Sequence, residues 1–124
     1  MSQYVKPLTW TLGVVLTLVG LAGFFVAGNM LLMFEVDPTQ NVIHLLSGIV
    51  GIAAVWKSEQ YAALYLKVFG VVYALVTVIG FAMGGDILGL FHVNAADNYL
   101  HAVIAVVSLV VGFSAAKQPA MGGF

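Results

Sequence analysis

The sequence contains no cysteine and, since all four of its basic residues are lysine, no arginine. The first absence excludes disulfides, thiolate metal sites and thiol nucleophiles. The second, with Lys6, Lys57, Lys67 and Lys117 scattered along the chain, leaves no basic patch to neutralise phosphates and excludes nucleic acid as a partner. Charge of either sign is scarce: charged residues make up 7 %, against about 25 % in soluble domains. What fills the chain is apolar, at 62 % hydrophobic residues and a mean hydropathy of +1.08. Such a chain belongs in a bilayer.

Four uncharged windows account for nearly all of it. They lie between Lys6 and Glu35, Asp37 and Lys57, Lys67 and Asp86, and Asp97 and Lys117, and the first is the longest. Each is close to or above the roughly 20 apolar residues with which a helix crosses about 30 Å of hydrocarbon. The windows are continuously apolar rather than alternating, and a closed barrel needs eight or more strands. Helices also satisfy their own backbone hydrogen bonds in lipid. The fold class read from the sequence is therefore an all-α membrane protein with four transmembrane helices, residues 1–124 forming a single integral membrane domain. The first window exceeds the roughly 7 to 15 residues of a signal-peptide core, so it is expected to be a retained helix.

Alternation of the loops places all four lysines on one side, which the positive-inside bias makes cytoplasmic together with both termini. Glu35, Asp37, Asp86 and Asp97 fall on the other side. Trp10, Trp56, Tyr61 and Tyr65 flank the inner boundary, and Phe34, Phe91 and Tyr99 the outer one, as interfacial aromatics do.

The stretch MFEVDPTQNVIH, from Met33, is echoed by LFHVNAADNYLH, from Leu90. Sliding Met33 onto Leu90 without a gap also aligns Gly13 with Gly70, Gly23-Phe24 with Gly80-Phe81, Gly28 with Gly85, Phe34 with Phe91, Asn41 with Asn98 and His44 with His101. Aliphatic identities are cheap in an apolar chain; glycine, asparagine and histidine identities are not. The expected architecture is a tandem duplication of a two-helix hairpin, with repeats at about 8–57 and about 65–114. Each unit crosses twice, so the halves are expected to share an orientation about an axis along the membrane normal. Small residues mark the packing faces: Gly48 and Gly51 with Ser47 beside His44; Ser108 and Gly112 with Ala105 beside His101; Gly23 with Ala27; and Gly80 with Gly84 as a GxxxG step.

The phrases NVIHLLSGIVG and LFHVNAADNYLH, with glycine-rich first and third helices, resemble an uncharacterised family of small bacterial membrane proteins, domain of unknown function 4383. The resemblance covers roughly residues 8 to 116. It implies a four-helix membrane protein of cyanobacteria and actinobacteria without an established activity.

The repeated polar phrase has two readings. In the structural one, Asn41 and Asn98 cap helices, Asp97 places negative charge at the positive end of a helix dipole, and the histidines hydrogen-bond a neighbouring helix or loop. In the functional one, His44 and His101 are ligands to a tetrapyrrole such as chlorophyll or haem, or to a metal with Asp97 or His92. No HxxxH or HExxH spacing supports a metal site, and none is assigned. No catalytic residue is assigned either: Ser47 and Ser108 follow histidines on their own helices, where serine ordinarily bonds a backbone carbonyl one turn back. A proton path would need titratable groups through the bilayer, which the helices lack. The leading expectation is a non-enzymatic accessory, assembly or stabilising subunit of a larger membrane complex, a photosynthetic one included, in a bacterial inner or thylakoid membrane. Its partners would be other integral membrane proteins and lipid, with the Asn-x-x-His ends on the non-cytoplasmic side. Histidine-mediated cofactor binding is the alternative.

Overall fold

The structure is a computed structural model and describes residues 2–26, 28 and 30–115. After a single 3₁₀ turn at Ser2–Tyr4, the chain runs α1 (Val5–Phe25), β1 (Met30–Leu31), β2 (Phe34–Glu35), α2 (Pro38–Lys57), α3 (Glu59–Ala82), β3 (Asp86–Ile87), β4 (Phe91–His92) and α4 (Ala95–Ala115). Among the described residues, four helices are long and apolar enough to cross a membrane, and the all-α membrane fold read from the composition is the fold observed. The expected cytoplasmic lysine Lys117 and the small residue Ala27 lie outside the described residues.

Local chemistry sets where the helices stop and start. Pro38 opens α2 at a position where its missing N–H costs nothing, and the Asp37 carboxylate accepts from the Gln40 N–H at 2.7 Å as its cap. At α4 the cap is reciprocal: the Asp97 N–H donates to Asn94 Oδ1 at 2.9 Å, and the Asn94 N–H donates to Asp97 Oδ2 at 3.0 Å, a capping box built with Asp in place of Glu. Asp37 and Asn94 occupy equivalent positions of the two repeats. The caps thus lie one turn earlier than expected, and Asn41 and Asn98 fall inside the first turns. Between α2 and α3 there is only Ser58, whose N–H closes α2 on Ala54 O at 3.1 Å while its hydroxyl accepts from the Tyr61 N–H at 3.1 Å.

The third charge-free window began at Lys67, yet α3 begins at Glu59. Lys67 therefore sits about two turns inside the helix, its ammonium 5.8 Å from the centroid of the Phe113 ring; a long aliphatic stem allows this placement in an apolar setting. Gly84 also departs from expectation. It is not a packing step with Gly80 but lies beyond α3 with φ +66°, exposed and with open space about it. The Gly85 N–H returns to Gly80 O at 2.9 Å, the closing bond of a Schellman helix end whose left-handed residue is Gly84.

The strands were not foreseen, and each spans only a pair of residues. β1 pairs antiparallel with β2 (Met30 with Glu35, Leu31 with Phe34) and β3 with β4 (Asp86 with His92, Ile87 with Phe91). The loop of the second hairpin is longer than that of the first by a single residue. Each hairpin reaches across to the other half of the chain, β4 touching α2 and β2 touching α4. These crossings are hydrogen-bonded: the His92 N–H donates to Asp37 Oδ2 at 3.1 Å, Gln40 Nε2 donates to His92 O at 3.1 Å, and Asn94 Nδ2 donates to Met33 O at 2.9 Å.

Within each half the helices pack closely, α1 on α2 and α3 on α4. A Cβ on Gly13 would meet Ile52 Cγ1 at 2.8 Å, and one on Gly70 would meet Leu109 at 2.9 Å; the second pair is the first carried one repeat onward. Where the halves differ in sequence, bulk moves from one partner to the other. Gly48 lies against Thr17, while the equivalent positions of the second repeat are Ala105 and Ala74, packed in one buried cluster with Leu16 and Tyr73. Buried apolar layers are stacked along the bundle: Val5, Val55, Leu66 and Val111 near the Ser58 end, the Leu16 cluster in the middle, and Ile87, Phe91 and Val93 beneath the hairpins.

Candidate functional site

Asn41 and Asn98 each face a glycine. A Cβ built on Gly23 would overlap Asn41 Oδ1, and one on Gly80 would overlap Asn98 Oδ1. Neither amide oxygen has a conventional hydrogen-bond partner; each lies instead against a glycine Cα–H, a weak donor that recurs at close helix contacts. The recurring Gly and Asn of the sequence are therefore two halves of one contact, made once between α1 and α2 and once between α3 and α4. This contact fixes how far each asparagine-bearing helix stands from its neighbour, and hence where the histidine one turn further in arrives.

His44 and His101 arrive at the same place. Both are buried, and their ring centroids are 6.0 Å apart at 61°. Tyr73 joins them, its ring 5.5 Å from His101. Nδ1 of each imidazole and the Tyr73 hydroxyl are buried without a hydrogen-bond partner. The Ser47 side chain lies near the Tyr73 hydroxyl but makes no hydrogen bond with it. Unpartnered polar atoms are uncommon in a protein interior and ask for an explanation in each case. The expected hydrogen bond from each histidine to a neighbouring helix or loop is not made at Nδ1.

A cavity of about 120 Å³ adjoins the cluster, lined by His44, Tyr73 and His101, by Gln40, Ile43 and Ser47 of α2, by Phe69, Val72 and Val76 of α3, and by Phe91 of β4. Gln40 is held above it by two backbone carbonyls, Glu35 O and His92 O, both at 3.1 Å. One turn beyond Ser47 on the same face of α2, Gly51 leaves room for the Tyr65 ring, whose hydroxyl donates to Ser47 O at 2.8 Å. Tyr65 and Phe91, expected at the membrane boundaries, are both buried.

The remaining expected residues divide. Gly48, Gly51, Ser108 and Gly112 are buried helix contacts, Gly112 lying against Leu66 and Lys67. Asp97 is committed to its reciprocal cap with Asn94. Among the described residues, no three of His, Cys, Asp or Glu are grouped closely enough to share a metal ion, so neither Asp97 nor His92 completes a metal set with His44 and His101. A tetrapyrrole does not fit: the cavity is well under the roughly 300 Å³ at which ordinary ligand pockets begin, and the two imidazoles contact one another edge to face. Tyr73 is the residue that sequence reasoning passed over. Its counterpart in the first repeat is Leu16, and this break in the repeat at a central position was the available signal.

The family described as a domain of unknown function, DUF4383, matches residues 6–114. The chain belongs to this family. No curated protein and no solved structure matches this DUF4383 protein.

Proposed function

We propose that this DUF4383 protein is a non-enzymatic membrane protein that holds a small ligand between its two halves, at His44, His101 and Tyr73. The observation that carries the reading is the convergence of three buried, unpartnered polar atoms beside a cavity. Ionisable side chains within membrane spans are functional candidates by default, and neither half of the molecule holds both histidines. This reverses the order of the two readings drawn from sequence alone, where histidine-mediated binding was the alternative. We also infer that the chain arose by tandem duplication of a hairpin and lies with its termini in the cytoplasm. Recurrence of the Gly–Asn contact and of the helix caps at equivalent positions of the two repeats supports the first, and the lysine bias supports the second.

The test is native mass spectrometry of the affinity-tagged protein released in mild detergent. The expected result is a protein carrying added non-protein mass that disappears when both His44 and His101 are replaced by phenylalanine. A native protein with no added mass, or a mass retained in that double variant, would overturn the reading.

The accessory-subunit reading is retained for a separate reason. Outside the helices, the described chain consists of two short hairpins and the single residue Ser58. A protein partner therefore has little to grip except the helix faces within the bilayer, where small residues and dispersion govern association. Co-migration with larger membrane subunits in the same spectra supports this role, and their identity tests the photosynthetic assignment; a monodisperse single chain counts against it.

A further inference from the structure

The tips of the two β-hairpins carry leucine where the backbone favours glycine. Leu32 and Leu88 open the two turns with φ +56° and +55°, and among the described residues they are the only ones other than glycine in the left-handed region. A Cβ makes that conformation costly, and turns that need it are ordinarily built with glycine, asparagine or aspartate. Glycine is the solution used elsewhere in the same chain: Gly89, which the repeat register sets on Leu32, has φ +76°. Neither leucine offsets the cost by packing inside the protein, since Leu32 is 86 % exposed and Leu88 63 %. A strained residue whose apolar side chain its own chain leaves uncovered points to a contact outside the chain.

Three features identify that contact as lipid. Residues 30–34 and 87–91 read MLLMF and ILGLF, without a charge. The backbone at the tips is bonded within the protein: the Leu90 N–H donates to Ile87 O at 2.8 Å, the Gly89 N–H donates to Asp86 Oδ1 at 3.1 Å, and Met33 O accepts from Asn94 Nδ2 at 2.9 Å. Hydrocarbon offers no hydrogen bonds, so a segment that enters it must bring its own. The hairpins also lie at the level of the helix ends. Met33 is bonded to Asn94, directly before α4, and His92 to Asp37, directly before α2. The spans leave the bilayer at this depth, so the membrane boundary is the surface beside the tips.

We propose that Leu32 and Leu88 insert into the leaflet at the hairpin end of the bundle, each hairpin being held at its root by the helices and at its tip by lipid. The partner is the bilayer itself, at the boundary between headgroups and hydrocarbon. The proposal goes beyond the histidine site and does not depend on it.

The absence of cysteine permits a nitroxide label at Leu32→Cys or at Leu88→Cys, in separate full-chain variants reconstituted in phospholipid nanodiscs. Power-saturation electron paramagnetic resonance compares collisions of each label with oxygen, which concentrates in lipid, and with a nickel chelate, which stays in water. Leu18→Cys, on an exposed face in the middle of α1, is the lipid reference, and Ser58→Cys, between α2 and α3, the aqueous one. Both tips are expected to favour oxygen over nickel severalfold, as at Leu18 and opposite to Ser58. Nickel accessibility at a tip equal to that at Ser58 would overturn the proposal for its hairpin. Low accessibility to both reagents would also overturn it, replacing lipid by contact with protein.

Discussion

At Gly23 and Gly80 a methyl group would overlap an asparagine oxygen, so alanine there must push two helices apart or displace the amide. Gly23→Ala and Gly80→Ala should each cost about 1–3 kcal/mol, the usual range for overpacking a close contact. The measurement is the unfolding midpoint in detergent. Pairing Gly23→Ala with Asn41→Ala should recover much of the loss, since the two residues couple through one contact; additive losses would show that they do not. Gly84→Ala has open space about it and costs only the left-handed backbone, about 1 kcal/mol. At the site the direction is opposite. His44→Phe and His101→Phe remove polar atoms that have no partner, so the ligand-free protein should lose no stability and its midpoint should hold or rise. A fall of several degrees would mean that the imidazole nitrogens are bonded in the folded protein.

For the elements, the same few residues terminate helices and tie the halves together. Asp37 caps α2 with one carboxylate oxygen and takes the His92 N–H with the other. Asp37→Ala should therefore cost more than the roughly 1 kcal/mol of an ordinary cap and should loosen β4 over the cavity. Amide hydrogen exchange checks this, with faster exchange expected at His92 as well as at Gln40. Acceleration confined to Gln40 would mean that the cross-hairpin bond contributes nothing. The hairpins themselves were illegible in the sequence because strands so short have no periodicity to read. They exist because the loop backbone, leaving the helices at the membrane edge, pairs with itself and with the other half.

As a whole molecule, the protein consists of two hairpins set against each other, closely packed within each half and meeting at His44, Tyr73 and His101. Its orientation is open to a direct test, because a cysteine-free chain accepts single reporter cysteines. Ser58→Cys should react with an impermeant thiol reagent only from the cytoplasmic face, and Met33→Cys only from the opposite one. The reverse pattern would overturn the lysine-based topology.

Composition alone determined that the chain is helical and crosses a membrane, because uncharged runs of that length have no other stable form in lipid. The repeat register that sets Met33 on Leu90 also marked Gly23, Asn41 and His44 and their counterparts as belonging together, since polar and glycine identities do not recur by chance in an apolar chain. The tertiary structure decided which residue each of them meets. Asn41 lies against Gly23 rather than capping its own helix, Gly84 ends a helix rather than packing one, and Tyr73, at a position where the repeat breaks, completes the cluster. The end at Gly84 is closed locally, by the Gly85 N–H on Gly80 O, but the other two outcomes depend on distances between helices, which are set by how side-chain volumes fit across an interface.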